Sequence, residues 1–289
     1  MSGEQSSGLR YFPLTSGQFE HQFGIRALAD GESIVEATAK YADEIQTKRS
    51  ALVADRDYYF QALPSSADAQ REVAELVCAS ASWLPDSRNT LLDQAVECEA
   101  DAPLLSIAQH VQEDLTIMDG NPATGHAMIA GCVTFPSGWC VQDKIGKPLL
   151  AIHASVPQYD SALHPPTEKL MERLKPGRHV WRMNWGVRAS DRLDQSPRFL
   201  AAINDQRERI TAGNAGDQAF FRVERQTLAR LPVSGHILFA IHTHQCCLDE
   251  LSGDQRRHLL GVLQTCPVET LKYKGIWPML APLVEHLSV

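Results

Sequence analysis

The 289-residue chain has no apolar run of about 18 residues or more, so no membrane-spanning helix is expected. Its opening residues, MSGEQSSGLR, lack an apolar stretch, so no secretory leader is expected, and residues 1–9 read as a disordered terminus. Positive charge is short. Lys and Arg total 27 against 35 Asp and Glu, a net charge of −8, which argues against nucleic-acid and anionic-membrane partners. Cysteine spacing is equally telling by what is missing. Cys78, Cys98, Cys132, Cys140, Cys246, Cys247 and Cys266 are odd in number and form no Cys-x-x-Cys pair. That pattern speaks against a disulfide framework, an iron–sulfur site or a zinc ribbon, and for reduced thiols in a cytoplasmic protein. The adjacent Cys246–Cys247 pair reads as structural. No Gly-x-Gly-x-x-Gly follows a strand, and no phosphate-loop lysine motif, Gly-x-Ser-x-Gly elbow or His-Glu-x-x-His helix occurs. The chain shows no sign of binding its own dinucleotide or ATP, so electrons for any redox chemistry would come from outside.

What is present divides into three textures. Residues 31–52 carry Ile34, Tyr41, Ala42 and Ile45 at helical spacing, with Thr38 the polar member of the stripe. Residues 66–84 repeat the pattern, with Ser65 or Ser66 as a cap, and 89–98 and 102–112 read as shorter helices. From His126 the chain turns β-like: HAMIAGCVTF (126–135), PLLAIHA (148–154), HVWRMNWGV (179–187), AFFRVERQ (219–226) and GHILFAIHTH (235–244). Trp181, Met183 and Trp185 alternate with Arg182 and Asn184. Phe220, Arg222 and Glu224 alternate with Phe221, Val223 and Arg225. Residues 203–218 look like a looped insertion with a charged helical start, and helix returns from Ser252 until Pro267. Strands in succession without long crossovers predict an antiparallel sheet and an α+β fold. One domain over 10–289 is expected: helical over 10–125, sheet-rich over 126–250, and helical again over 251–289.

Five features carry candidate chemistry. The stretch PLLAIHASVPQY (148–159) reads as a strand ending at His153, with Pro157 breaking the run; the histidine is a core residue, a metal ligand or an acid/base group. Glu113 and Asp114 in VQEDL read as a solvated acidic pair at a helix end, or as carboxylates for a cationic substrate or a proton relay. FPSGW (135–139) is a turn able to wall a pocket. Arg182 suits a fixed carboxylate, either a cofactor's or that of Glu224 on a neighbouring strand. His242 and His244, two apart on a strand, share a face and could chelate a metal with one carboxylate, although their place near the strand end suggests exposure.

FPSGW (135–139), DKIGKPL (143–149), IHASVP (152–157), RMNW (182–185) and RVERQTLARLP (222–232) occur in this order, after RYFPL (10–14) and FGIRAL (23–28). With these motifs the chain resembles the α-subunit-like family of haem-dependent oxidative N-demethylases. The resemblance implies a PAS-like antiparallel sheet flanked by helices and holding haem b. It implies oxidation of a small amine by O₂ with release of formaldehyde, and electrons from a separate reductase, or peroxide in its place. It implies His153 as the axial iron ligand and Arg182, Asn184, Arg222 and Arg225 as partners of the propionates. Glu113, with Asp114 beside it, and Glu224 become candidates for binding a substrate cation or delivering protons. IHTHQCC (241–247) departs from the family pattern, which leaves room for a larger amine or an aromatic substrate. Two other readings remain: a haem sensor or carrier without turnover, and a non-haem iron enzyme built on His242 and His244.

Overall fold

The structure, a computed structural model, describes residues 9–20, 24–29, 31–81 and 102–289. Its centre is a seven-stranded sheet in which every pairing is antiparallel. The strands are β1 (Arg26–Ala27), β2 (Phe60–Ala62), β3 (Asp114–Met118), β4 (Met128–Cys132), β5 (Val180–Arg188), β6 (Phe220–Arg230) and β7 (Ile237–Cys247), in the order β1-β5-β6-β7-β3-β4-β2. Among the described residues the helices are α1 (Tyr41–Ala54), α2 (Arg56–Tyr59), α3 (Ala67–Ser80), α4 (Pro103–Ala108), α5 (Leu149–Ile152), α6 (His164–Arg173), α7 (Leu200–Glu208), α8 (Ala215–Gln218), α9 (Gly253–Thr265), α10 (Val268–Tyr273) and α11 (Leu280–Leu287). The fold is α+β.

Alternation along β5, β6 and β7 sorts the side chains onto two faces. Registers Asn184↔Glu224 and Glu224↔Thr243 place those residues on one face with Arg182 and Arg222. Registers Met183↔Arg225 and Arg225↔His242 place Trp181, Trp185, Val223 and His244 on the other. Apolar residues of α3, α4, β3 and β7 form one core on this second face. α9, α10 and α11 pack a further core against Phe221 and Val223. The first face is covered by Leu149, Tyr159, Met171 and Leu174, which meet Met118, Leu228 and Ile237.

Several expectations are revised. Residues 148–154 form no strand: Leu149–Ile152 is a short helix with His153 at its C-cap. Pro148 cannot donate to a ladder and takes an N-cap conformation, and only Leu149 of the run is buried while Leu150 is exposed. A four-residue apolar run has no period that could have told the two apart. VQEDL is not a helix end; Asp114 opens β3, and both acids are buried at 1% exposure. The first helix begins at Tyr41, so Ile34 and Val35 reach the core from non-helical chain. Ser66 precedes α3 without a side-chain cap bond. The stretch read as helical over 10–125 also supplies β1, β2 and β3. Leu9 is buried. The expected helix at 89–98, Cys98 and residues 1–8 lie outside the described residues.

Candidate functional site

His153 is placed by a chain of local bonds. Leu149 N–H donates to Gly125 O at 2.8 Å, and residue 125 must be glycine there, with φ +64 and a would-be Cβ 2.8 Å from Pro148 Cβ. Lys144 Nζ donates to Ile152 O at 2.6 Å and closes the far end of α5. Both the backbone N–H and Nδ1 of His153 then address Leu149 O, at 3.2 and 2.9 Å. Nδ1 is therefore the protonated nitrogen, and Nε2 keeps its lone pair. Gln158, at φ 58, turns the chain back so that Tyr159 stacks on the imidazole at 4.4 Å with planes 13° apart. Tyr159 stacks onward toward His164 at 5.8 Å. The Tyr159 hydroxyl and His164 Nδ1 are buried with no hydrogen-bond partner. Burial pushes the His153 pKa down, and the Lys144 and Arg182 cations add to this against the Leu149 carbonyl, so the ring is neutral.

Near this imidazole the first face of the sheet carries a cluster of cations. Glu224 Oε2 accepts from Gln226 Nε2 at 3.0 Å and from Asn184 Nδ2 at 3.3 Å. Burial opposes its charge, but Arg222 and other neighbours hold it below the usual carboxylate range. Lys274 Nζ donates to Trp185 O at 2.6 Å and Asn184 Oδ1 at 3.4 Å, and lies over the Trp185 ring at 4.7 Å. Arg188 folds back across Gly186, where a Cβ would fall 2.9 Å from its guanidinium, and donates to Lys274 O at 2.7 Å. Desolvation, helped by the Arg188 cation, pushes Lys274 down to about 8. Desolvation, helped by Arg222, pushes Arg188 down to about 10. Yet Arg182, Asn184, Arg188 and Lys274 each keep partial exposure. The cluster's cations outnumber its one carboxylate, so it suits an anionic group set beside a neutral imidazole.

The opposite face holds a second polar cluster. His242 and His244 are buried, not exposed at a strand end, because β7 continues to Cys247. Two carboxylates meet them. His242 Nδ1 lies 3.2 Å from Glu113 Oε1 and 3.6 Å from Glu36 Oε2, and His244 Nε2 lies 3.5 Å from Glu36 Oε2. Burial works against the charged form of His242, but Glu113 and Glu36 overcome it and lift its pKa to about 9. Burial, with His242 beside it, pushes His244 down despite Glu36.

The candidate residues therefore separate. His153, Arg182, Asn184 and Glu224 come together on the first face. Arg222 lies on that face but gives its donors to Leu193 O at 2.8 Å, Phe135 O at 2.6 Å and Thr243 Oγ1 at 3.2 Å. Arg225 points to the second face and donates to Ile34 O at 3.1 Å and Ser33 O at 2.9 Å. Glu113 faces His242, whereas Asp114 faces the other way into a clamp of Thr134 N–H, Thr134 Oγ1 and Phe135 N–H, at 2.8, 3.1 and 2.8 Å. The solvated-pair reading of these acids is thus overturned. Sequence reasoning missed Glu36, Arg188, Tyr159 and Lys274. A lone glutamate within SIVEATA and a lysine three residues before Trp277 left only faint signals.

Cys78, Cys132, Cys140, Cys246, Cys247 and Cys266 are free thiols, and burial pushes Cys246 up to about 12, which makes it a poor nucleophile. No described helix is long and apolar enough to cross a membrane. The family model for "haem-dependent oxidative N-demethylase, alpha subunit-like" matches residues 24–284. That span takes in the sheet, His153 and its covering segment, and both polar clusters, and on this match the chain belongs to the haem-dependent oxidative N-demethylase α-subunit-like family.

Proposed function

We propose that the protein is a haem-b-dependent oxygenase that demethylates a small amine, in which His153 Nε2 would hold the iron. The observation that carries the reading is the His153 ring. Its Nδ1–H is fixed on Leu149 O at 2.9 Å, which sets the tautomer and aims a free Nε2, as metal-bound imidazoles require. The donor set around it fits the group. Arg182, Asn184, Arg188 and Lys274 line a cationic wall for the propionates, and Tyr159 braces the imidazole. Arg222 and Arg225, whose guanidinium groups already hold main-chain carbonyls, act here by fixing β6 to its neighbours.

Bound haem would supply the dioxygen chemistry, which no side chain of this protein can perform. An N-methyl amine, O₂, two electrons and two protons balance to the demethylated amine, formaldehyde and water. The electrons come from an external donor, a separate reductase, since the chain carries no dinucleotide or iron–sulfur motif. Glu224, the buried carboxylate of this cluster, holds the ammonium group of the substrate or passes a proton to the reacting centre. Glu113 and Asp114 support this role at a distance: Asp114 fixes the 134–135 turn before FPSGW, and Glu113 ties β3 to residue 36 through Glu36 N–H at 2.7 Å.

Absorption spectra of the purified protein, before and after haem addition and then with dithionite and CO, test the reading. A Soret band that shifts on reduction and again with CO is expected, with formaldehyde release from N-methyl amines once electrons are supplied. Glu224→Gln should keep the spectrum and lose at least about tenfold in turnover. A featureless spectrum after haem addition overturns the proposal.

A further inference from the structure

The His242/His244 cluster is not used by the haem reading, and it lies on the opposite face of the sheet. We propose that Glu36, His242 and His244 bind one divalent transition-metal ion, separate from the haem. One ligand atom from each of the three residues falls within a sphere where all lie 4.8 Å or less apart. Two imidazoles and a carboxylate are the donor set of zinc and of iron(II).

The spacing is that of a coordination shell. Ligand atoms at about 2.0–2.1 Å from a tetrahedral metal stand roughly 3.3–3.4 Å from one another. Glu36 Oε2 is 3.5 Å from His244 Nε2 and 3.6 Å from His242 Nδ1. Glu113 Oε1 is 3.2 Å from the same His242 nitrogen. These contacts lack hydrogen-bond geometry. Glu36 Oε2, Glu113 Oε2, both nitrogens of His242 and Nε2 of His244 are all buried without a hydrogen-bond partner. His242 is 1% exposed. Buried polar atoms are seldom left in this state, and here one of them, Glu36 Oε2, stands within 3.6 Å of two others, His242 Nδ1 and His244 Nε2.

The surroundings orient the ligands as the outer shell of a metal site does. The other oxygen of Glu36, Oε1, accepts from the Tyr11 hydroxyl, lies 3.3 Å from Arg10 Nη1 and 3.8 Å from Arg225 Nε. That leaves Oε2 turned to the histidines. Tyr11 also packs edge-on against His244 at 5.0 Å. The Glu36 carboxylate, with that of Glu113 close to His242, offsets the charge of a divalent ion between neutral imidazoles. Glu36 and Tyr11 also line a cavity of about 340 Å³ together with Arg10, Trp181 and Arg225.

Equilibrium dialysis of the full chain against ZnCl₂, followed by elemental analysis, tests the site independently of activity. Zinc is counted apart from haem iron. The wild-type protein is expected to retain one zinc per chain, and His153→Ala to retain it equally. His244→Ala and Glu36→Gln should lose it while keeping the haem spectrum. X-ray absorption of the wild-type zinc complex needs no variant to fold, and should show only nitrogen and oxygen neighbours at about 2.0–2.1 Å. A sulfur shell at about 2.3 Å, no retained zinc in the wild type, or equal retention in both site variants would each overturn the proposal. Because His153→Ala reports on the haem and His244→Ala on the zinc, the two assignments fail separately.

Discussion

Lys48 joins helix α1 to the chain entering β3, where both acids sit, and its removal has a calculable cost. The side chain is completely buried, at 0% exposure. Its Nζ donates to Val111 O at 3.0 Å, Gln112 O at 3.3 Å and Glu113 O at 2.5 Å, and lies 3.6 Å from Asp114 Oδ1. Burial raises the pKa of Asp114, and Lys48 is the first of the groups that oppose this. Lys48→Met keeps most of the stem's apolar packing but leaves three carbonyls without their donor and a carboxylate without its cation. Breaking a buried pair from one side costs about 3–5 kcal/mol. For a chain of this size that corresponds to a fall in Tm of roughly 6–20 °C. Thermal unfolding followed by circular dichroism measures it. Lys48→Met/Asp114→Asn should be less damaged than the sum of the single variants, with a coupling above about 1 kcal/mol. A Lys48→Met variant within about 1 kcal/mol of wild type, or strictly additive single effects, would refute the reasoning.

Lys274 gives a pH signature. Its folded-state pKa is pushed down to about 8, so above that pH the cluster loses a positive charge. A bound propionate pair favours the ammonium form, so binding above pH 8 takes up a proton, and haem affinity should fall by up to about tenfold per pH unit there. Haem titrations between pH 7 and 9.5 check this; Lys274→Met should bind more weakly at pH 7 and lack that step. Gly261 in α9 gives a packing test. Helix propensity favours alanine by about 1 kcal/mol, but a Cβ at 261 would lie 2.2 Å from Gly17 O. The 9–20 segment is pinned nearby by Phe19 N–H on Thr265 Oγ1 at 2.8 Å, so it cannot simply lift away. Gly261→Ala should therefore lower stability by about 1–3 kcal/mol in denaturant unfolding, and a stabilised variant would show that the contact is slack.

Strands β5, β6 and β7 were legible because each runs nine to eleven residues rich in β-branched and aromatic side chains. Alternation placed Arg182, Asn184 and Glu224 together and set His242 beside His244. Short elements were illegible for the converse reason. α5 spans one turn, and its apolar run fits a buried strand as well as a helix until Pro148 and the Gly125 contact decide. Glu113 and Asp114 looked like a solvated pair because adjacent acids usually are. In β3 adjacency means opposite faces, and each acid finds its own buried partners. Glu36 and Lys274 are brought to the two clusters only by the tertiary fold. Glu36 approaches His242 from non-helical chain ahead of α1, and Lys274 comes round the edge of β5 from the end of α10. No local period or motif marks such a residue.

Replacing His153 by glycine and returning imidazole from solution tests the iron-ligand assignment most directly. His153→Gly should lose the wild-type haem spectrum, or the haem itself, and added imidazole should restore it, while His244→Ala keeps the spectrum throughout. A His153→Gly protein with unchanged haem content and an unchanged spectrum, indifferent to imidazole, would contradict the central claim.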